Sequence, residues 1–457
     1  MHPLNLAGNY APVTDELTAY DLPVTGRIPD QLSGWYLRNG PNPHDAAAGH
    51  FFFGDGMIHA VRLDGGRAVS YRNRWVGTRR FTERARVRDE QGRPDLTVGA
   101  ANTHIIRHAG RALALIETAY PHELYLSAGP AAPLPAGVCD LDSAGPYDFG
   151  GRLATAMTAH PKTCPTTGEL HLFGYDIKAP YLTYHRADAA GELVVSRPVD
   201  VPGPTMMHDF NLTAGHVVFM DLPVVFDMTL AAGGTMPYRW DDGYGARLGV
   251  LRRADPYGVV RWFEIDPCYV FHSLNAYDET GPDGERIVLH VMRYPEVWRN
   301  RQVLDDRATL WRWVIEPATG TVHEEQLDDR PAEFPRVDDR LVGLNSRFGH
   351  ATATDLRPRE ERDDTHAGAL LRYDLRTGAV ATHDFGPGRI PAEASFAPAD
   401  DVAGGAGGLM TYVYDTATDR SDLVILDADD MAAPPVATVH LPARVPYGFH
   451  GNWLADR

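Results

Sequence analysis

Four of the chain's 20 histidines stand apart by what surrounds them. His160 sits in MTAHPKT, His208 in MMHDFN, His272 in VFHSLNAY and His450 in YGFHGNW. Each follows an apolar or small residue and adjoins a stretch that reads as a strand end, where a side chain can point into a channel. Neutral imidazole is a good metal ligand, so four of them could share one ion. They lie 48, 64 and 178 residues apart, a spacing that fits no local metal motif such as HExxH. Any common site must therefore be assembled by the fold. From type and spacing alone, each histidine can equally be a hydrogen-bonded polar residue at a strand end, and spacing does not choose between these readings.

The elements that must position them are strands. No long stretch keeps an apolar period of 3.6; short alternating runs joined by polar turns recur instead. In ALLRYDLRTGAV, Leu371, Tyr373 and Leu375 share a face before Arg376-Thr377-Gly378 turns the chain. WRWVIEPATGTV repeats the pattern with Trp311, Trp313 and Ile315, then a turn through Pro317 and Gly320. LMTYVYDTATDRSDLVILDADD, RIVLHVMRYP and HLFGYDIKAPYLTYH read the same way. Such spacing predicts antiparallel hairpins throughout, hence a sandwich, a barrel or a propeller. Hairpins spread along nearly the whole chain without a linker favour one propeller, although no WD or kelch letters repeat. Residues 357–366 (RPREERDDTH) read as a solvated charged loop. Residues 403–408 (AGGAGG) lack the Lys-Ser/Thr ending of a phosphate loop and read as a turn. Asn39-Gly40 and Asp55-Gly56 are tight-turn signals.

Composition removes several functions. With 43 Lys+Arg against 61 Asp+Glu, the net charge of −18 argues against binding a phosphate backbone. Lys162 and Lys178 are the chain's two lysines, and the remaining cations are arginine, a bias that suggests GC-rich bacterial coding. Cys139, Cys164 and Cys268 are too few and too scattered for a disulfide framework or a cysteine-rich zinc site. The amino terminus lacks a basic segment followed by an apolar one, which gives a cytoplasmic expectation. The longest apolar run, residues 217–226, is broken by Asp221 and Pro223, so no transmembrane helix is expected. That run reads as a buried strand or as an apolar patch for peripheral membrane contact.

Two phrases precede the four histidines: LSGWYLRNGPNP at residues 32–43 and HFFFGDGMIHAVRL at residues 50–63. With them, the chain resembles the carotenoid cleavage oxygenase family nearly end to end, from Tyr10-Ala11-Pro12 to Trp453. The resemblance implies an all-β, seven-bladed propeller over residues 1–457 as one domain, with iron on its axis and a loop-rich dome over one face. It implies that His160, His208, His272 and His450 hold one Fe(II). It also implies that Glu117 in ALALIETAY, Glu333 in PAEFPRV and Glu393 in IPAEASF hold ligand histidines. The chemistry suits these residue types. A carboxylate on the far ring nitrogen fixes the tautomer and raises ligand basicity, and an all-imidazole set leaves the centre cationic with positions open for dioxygen. Thr103 in AANTHII matches the family residue whose methyl shields one coordination position. Phe271, beside a ligand, is expected in an apolar substrate pocket, although a phenylalanine is more often plain core.

The implied reaction is cleavage of a carbon–carbon double bond by O2 into two carbonyl fragments, with dioxygen and an apolar alkene as the partners. Family branches take apocarotenoids, stilbenes or phenylpropenes. The stilbene branch grips the substrate phenol with a lysine directly before the first of the three glutamates; here that residue is Ile116. An apolar polyene, an apocarotenoid, is therefore the expected substrate. Two readings from other classes remain: a calcium-dependent propeller hydrolase, which needs carboxylate and amide oxygens, and a metal-free propeller scaffold.

Overall fold

Short alternating runs and polar turns fold, as the sequence predicts, into antiparallel meanders. The computed structural model describes residues 8–43, 51–91, 93–129, 134–281, 284–300, 306–354 and 368–456. The loop expected at residues 357–366, and His50 of the second phrase, lie outside the described residues. The chain divides into two units: residues 1–159 with 382–457, and residues 160–381.

The second unit holds, among the described residues, four four-stranded sheets in chain order and a two-stranded one that pairs Val224–Phe226 with Tyr238–Trp240. The four begin with the strands Lys162–Thr163, Phe210–Leu212, Tyr269–Gly281 and Ala332–Arg336. Outer strands alternate in burial, as Leu193–Val199 does, whereas inner ones such as Phe348–Ala353 are buried almost throughout. A strand covered on both faces needs apolar residues at every position, which is why period-two alternation fades there. Phe173, Tyr184, Phe210 and Phe219 are fully buried in this unit's core, and Phe173 meets Phe210 edge to face at 5.3 Å. Truncating such a ring to alanine costs about 3–5 kcal/mol.

The first unit holds three sheets. One pairs the carboxy-terminal strand Gly451–Ala455 with Gly34–Pro41 near the amino terminus. A second contains His104–His108 and Arg111–Leu115. A third is built on Gly407–Asp415, which pairs with both Arg389–Pro391 and Ser395–Pro398. Tyr36, Tyr71 and Tyr412 sit in this unit's core with Val61, Met410 and Ile425.

Asn39-Gly40 is not a turn. Asn39 pairs with Ile58 and Gly40 with Met57 inside a strand ladder. The glycine is needed for close approach, because a Cβ there would stand 2.5 Å from the Gly448 Cα. Gly56 likewise opens a strand, where a Cβ would meet the Ala101 carbonyl oxygen at 2.4 Å. Residues 217–226 fold as His216–Asp221 and Val224–Phe226, and all but Phe226 are buried, so this run is core. No helix among the described residues is long and apolar enough to cross a membrane.

Candidate metal centre

In the second unit, each predicted ligand stands where a sheet begins. His160 and His208 lie two residues before the strands Lys162–Thr163 and Phe210–Leu212. His272 lies inside Tyr269–Gly281, where pairing with the next strand shifts register between Val270 and Ser273. A bulge of this kind re-aims a side chain that regular alternation would turn elsewhere. His160 Nε2 stands 3.1 Å from His208 Nε2, and His208 Nε2 stands 3.3 Å from His272 Nε2. The His160 and His272 ring centroids are 5.0 Å apart.

Glu333 sits at another register shift, followed by Phe334 at φ 56°. Its Oε2 is 2.6 Å from His272 Nδ1 and also accepts the Phe334 N–H at 2.7 Å. A carboxylate can only accept, so Nδ1 carries the imidazole proton and Nε2 keeps its lone pair. Phe271 is buried with its ring 5.3 Å from His208, and Tyr269, Tyr294 and Trp298 surround it edge-on. Phe271 thus lays apolar surface against His208 and His272, and the three rings around it hold it there.

In the first unit, His450 directly precedes the strand Gly451–Ala455. Glu393 falls in the break between Arg389–Pro391 and Ser395–Pro398, and the break lets its side chain turn inward. Its Oε1 is 2.9 Å from His450 Nδ1, and its Oε2 accepts the Gly451 N–H at 2.7 Å. This again leaves the His450 Nε2 lone pair available. The backbone around His450 is held by residues to which the sequence assigned other tasks or none. Asn39 N–H donates to the His450 carbonyl at 3.0 Å, and the Phe449 N–H donates back to Asn39 at 3.0 Å. The His450 N–H donates to the Thr103 carbonyl at 3.1 Å. Thr103 Oγ1 donates to Asn102, whose amide in turn reaches the Phe52 and Gly54 carbonyls. The two phrases at residues 32–43 and 50–63 are therefore a brace for one histidine. The available signal was the Asn39-Gly40 and Asp55-Gly56 pairs in those phrases, read instead as turn residues.

Glu117 is buried just beyond the strand Arg111–Leu115, and Ile116 before it is half-buried. In the second unit, His160, His208 and His272 gather their Nε2 atoms into a group with the makings of a metal site. The donor set fits a transition metal. Two nitrogens bound at about 2.0–2.2 Å and a right angle stand about 3 Å apart, near the Nε2 separations above. Four imidazoles with no carboxylate oxygen suit iron and its neighbours, and do not suit calcium.

A family model described as retinal pigment epithelial membrane protein (RPE65) matches residues 10–455. A carotenoid cleavage oxygenase of Mycobacterium tuberculosis is 38% identical, over 98% of this chain and 97% of its own. The solved lignostilbene dioxygenase of Pseudomonas brassicacearum is 27% identical with a TM-score of 0.83. Cobalt-substituted Synechocystis apocarotenoid oxygenase is 28% identical with a TM-score of 0.82. Both structural likenesses cover 98% of each chain. The fold is a seven-bladed β-propeller, one blade for each sheet of four or more strands.

Proposed function

The chain belongs to the RPE65/carotenoid cleavage oxygenase family, and from that premise we propose that it holds Fe(II) through His160, His208, His272 and His450 and cleaves an apocarotenoid. It is an alkene-cleaving dioxygenase; the ligand set and the substrate are our reading. The observation that carries it is the gathering of three imidazole nitrogens in the second unit, with Glu333 fixing the outward nitrogen of His272 and, in the first unit, Glu393 that of His450.

Bound there, Fe(II) supplies the redox chemistry that lets dioxygen react with a closed-shell alkene. One oxygen atom goes to each alkene carbon, giving two carbonyl products and needing no further reductant. The chain's own residues hold and shape. Glu333 and Glu393 keep protons on Nδ1, so the imidazoles stay neutral donors of fixed orientation. Glu117 is assigned the same task for a third histidine. The Phe271 box excludes water and offers apolar surface to a polyene. Thr103, with its hydroxyl committed to Asn102, has its methyl as the free branch for shielding a coordination position.

The substrate choice rests on lysines. Lys162 is 2.8 Å from Asp209, and Lys178 is exposed in another segment, so neither can anchor a phenol beside Ile116. A buried phenol without a partner is penalised by about 1–3 kcal/mol. The fold itself does not discriminate, since a lignostilbene dioxygenase and an apocarotenoid oxygenase superpose equally well. Iron-loaded protein should therefore give a higher kcat/KM on apocarotenoids than on hydroxystilbenes, with products assigned by mass spectrometry. Stilbenes winning by about tenfold or more, about 1.4 kcal/mol, would overturn the substrate assignment. Ile116→Lys should raise turnover of phenolic stilbenes if residue 116 faces the substrate.

A further inference from the structure

One carboxylate ties together the three strand ends that carry ligands in the second unit. Asp209, which follows His208, is almost fully buried, at 1% exposure. Its Oδ2 accepts the N–H of Ser273, the residue after His272, at 2.9 Å. Its Oδ1 accepts the Phe210 N–H at 2.8 Å and lies 2.8 Å from the ammonium of Lys162, two residues after His160. A second tie runs in parallel, because Tyr269 Oη donates to the Met206 carbonyl at 2.8 Å, bridging the segments before His272 and His208. These bonds all act beside the imidazoles and none acts on an imidazole.

We propose that Asp209 and Lys162 are positioning residues that set the mutual spacing of His160, His208 and His272, and so tune metal affinity, with Lys162 acting through Asp209. This deepens the four-histidine reading and rests on it. The physical case is geometric. A chain end of two or three strand residues, such as Lys162–Thr163, has too few ladder bonds to fix its own direction. A metal site needs its ligands held within a few tenths of an ångström. An ionised carboxylate accepting three charge-assisted or backbone bonds is stiffer than any single neutral bond. The motifs His-Pro-Lys and His-Asp-Phe thus each carry a ligand and one half of the clamp.

Metal-free full-length protein, titrated with Co(II) against a chromophoric chelator, tests this, with the visible spectrum recorded for each form. Wild type should take up one equivalent. Asp209→Asn keeps the shape but turns an acceptor into an amide donor, and Lys162→Met removes the ammonium. Each should weaken Co(II) binding by about 10–100-fold and alter the visible bands, as loss of an outer partner does elsewhere. The double variant should bind no more weakly than Asp209→Asn alone, because Lys162 acts through that carboxylate. Thermal midpoints of the metal-free forms separate positioning from folding. Wild-type affinity and spectrum in both single variants overturn the proposal. So does weakening that tracks loss of the metal-free fold, or effects that multiply in the double variant. Failure of wild type itself to bind would instead bring down the four-histidine reading, and the clamp with it.

Discussion

The same substitution should have unequal effects at two glutamates, because their hydrogen bonds are divided differently between the two oxygens. Glu393 uses both: Oε1 for His450 Nδ1 at 2.9 Å and Oε2 for the Gly451 N–H at 2.7 Å. In Glu393→Gln, one of those donors must face an amide NH2, so a buried N–H loses its acceptor in either orientation. Glu333 uses a single oxygen, Oε2, for both His272 Nδ1 and the Phe334 N–H. Its Oε1 is buried without a bond. Glu333→Gln can therefore keep both bonds on the amide oxygen, losing the charge and placing its NH2 where Oε1 stood. Glu393→Gln loses the same charge and also strips one N–H of its acceptor. An ionic hydrogen bond is roughly twice as strong as a neutral one, so losing the charge costs about 1 kcal/mol. A stranded buried donor costs about 1–3 kcal/mol more. Metal affinity should thus fall about tenfold in Glu333→Gln and about a hundredfold or more in Glu393→Gln. Anaerobic Fe(II) titration of metal-free protein against a chelator measures both, and urea unfolding of the same preparations shows whether the fold survives. Equal losses, or a larger loss in Glu333→Gln, would refute the division of bonds and with it this account of how the imidazoles are oriented.

Three further outcomes follow. Replacing His160, His208, His272 or His450 singly with Ala should abolish retention of iron through purification, checked by elemental analysis against wild type. Gly40→Ala should destabilise the fold by about 1–3 kcal/mol, as overpacking does, and weaken iron binding, since its Cβ would displace Gly448 two residues before His450; an unchanged urea midpoint would contradict the close approach. His290 is buried with both ring nitrogens unbonded, and burial, aided by Arg312, lowers its pKa to about 4. Its folded pKa is below the unfolded value of about 6.5, so the unfolded chain binds more protons and stability falls as pH drops from about 6.5 to about 4. The loss from this residue is about 2 kcal/mol by pH 5. His290→Leu should lose that much less between pH 7 and pH 5, and parallel curves for the two proteins would remove His290 from the explanation.

What the sequence by itself determined is the class of structure and the family, and from these came the ligand set proposed above. Alternating runs such as WRWVIEPATGTV dictate hairpins because a half-covered strand needs apolar side chains at every second position. The four histidine contexts, read with the phrases at residues 32–43 and 50–63, pointed to one family and to Glu333 and Glu393 as carboxylate partners. The tertiary structure decided what local pattern cannot encode. Asn39-Gly40 reads as a turn, since that dipeptide tolerates the turn's backbone angles, yet pairing with Ile58 and Met57 holds it extended and makes it a brace for His450. Residues 217–226 are largely apolar whether they face lipid or core, and only burial within the fold, as strands of two different sheets, made them core. Lys162 and Asp209 each follow a proposed ligand in the chain, but nothing local pairs them, and they meet across 47 residues. Glu333 and Glu393 reach their histidines because a register shift and a strand break turn them inward. Contacts between residues far apart in sequence depend on how sheets are ordered and where they bulge, and those are properties of the whole set of strands, with no signature in any one of them.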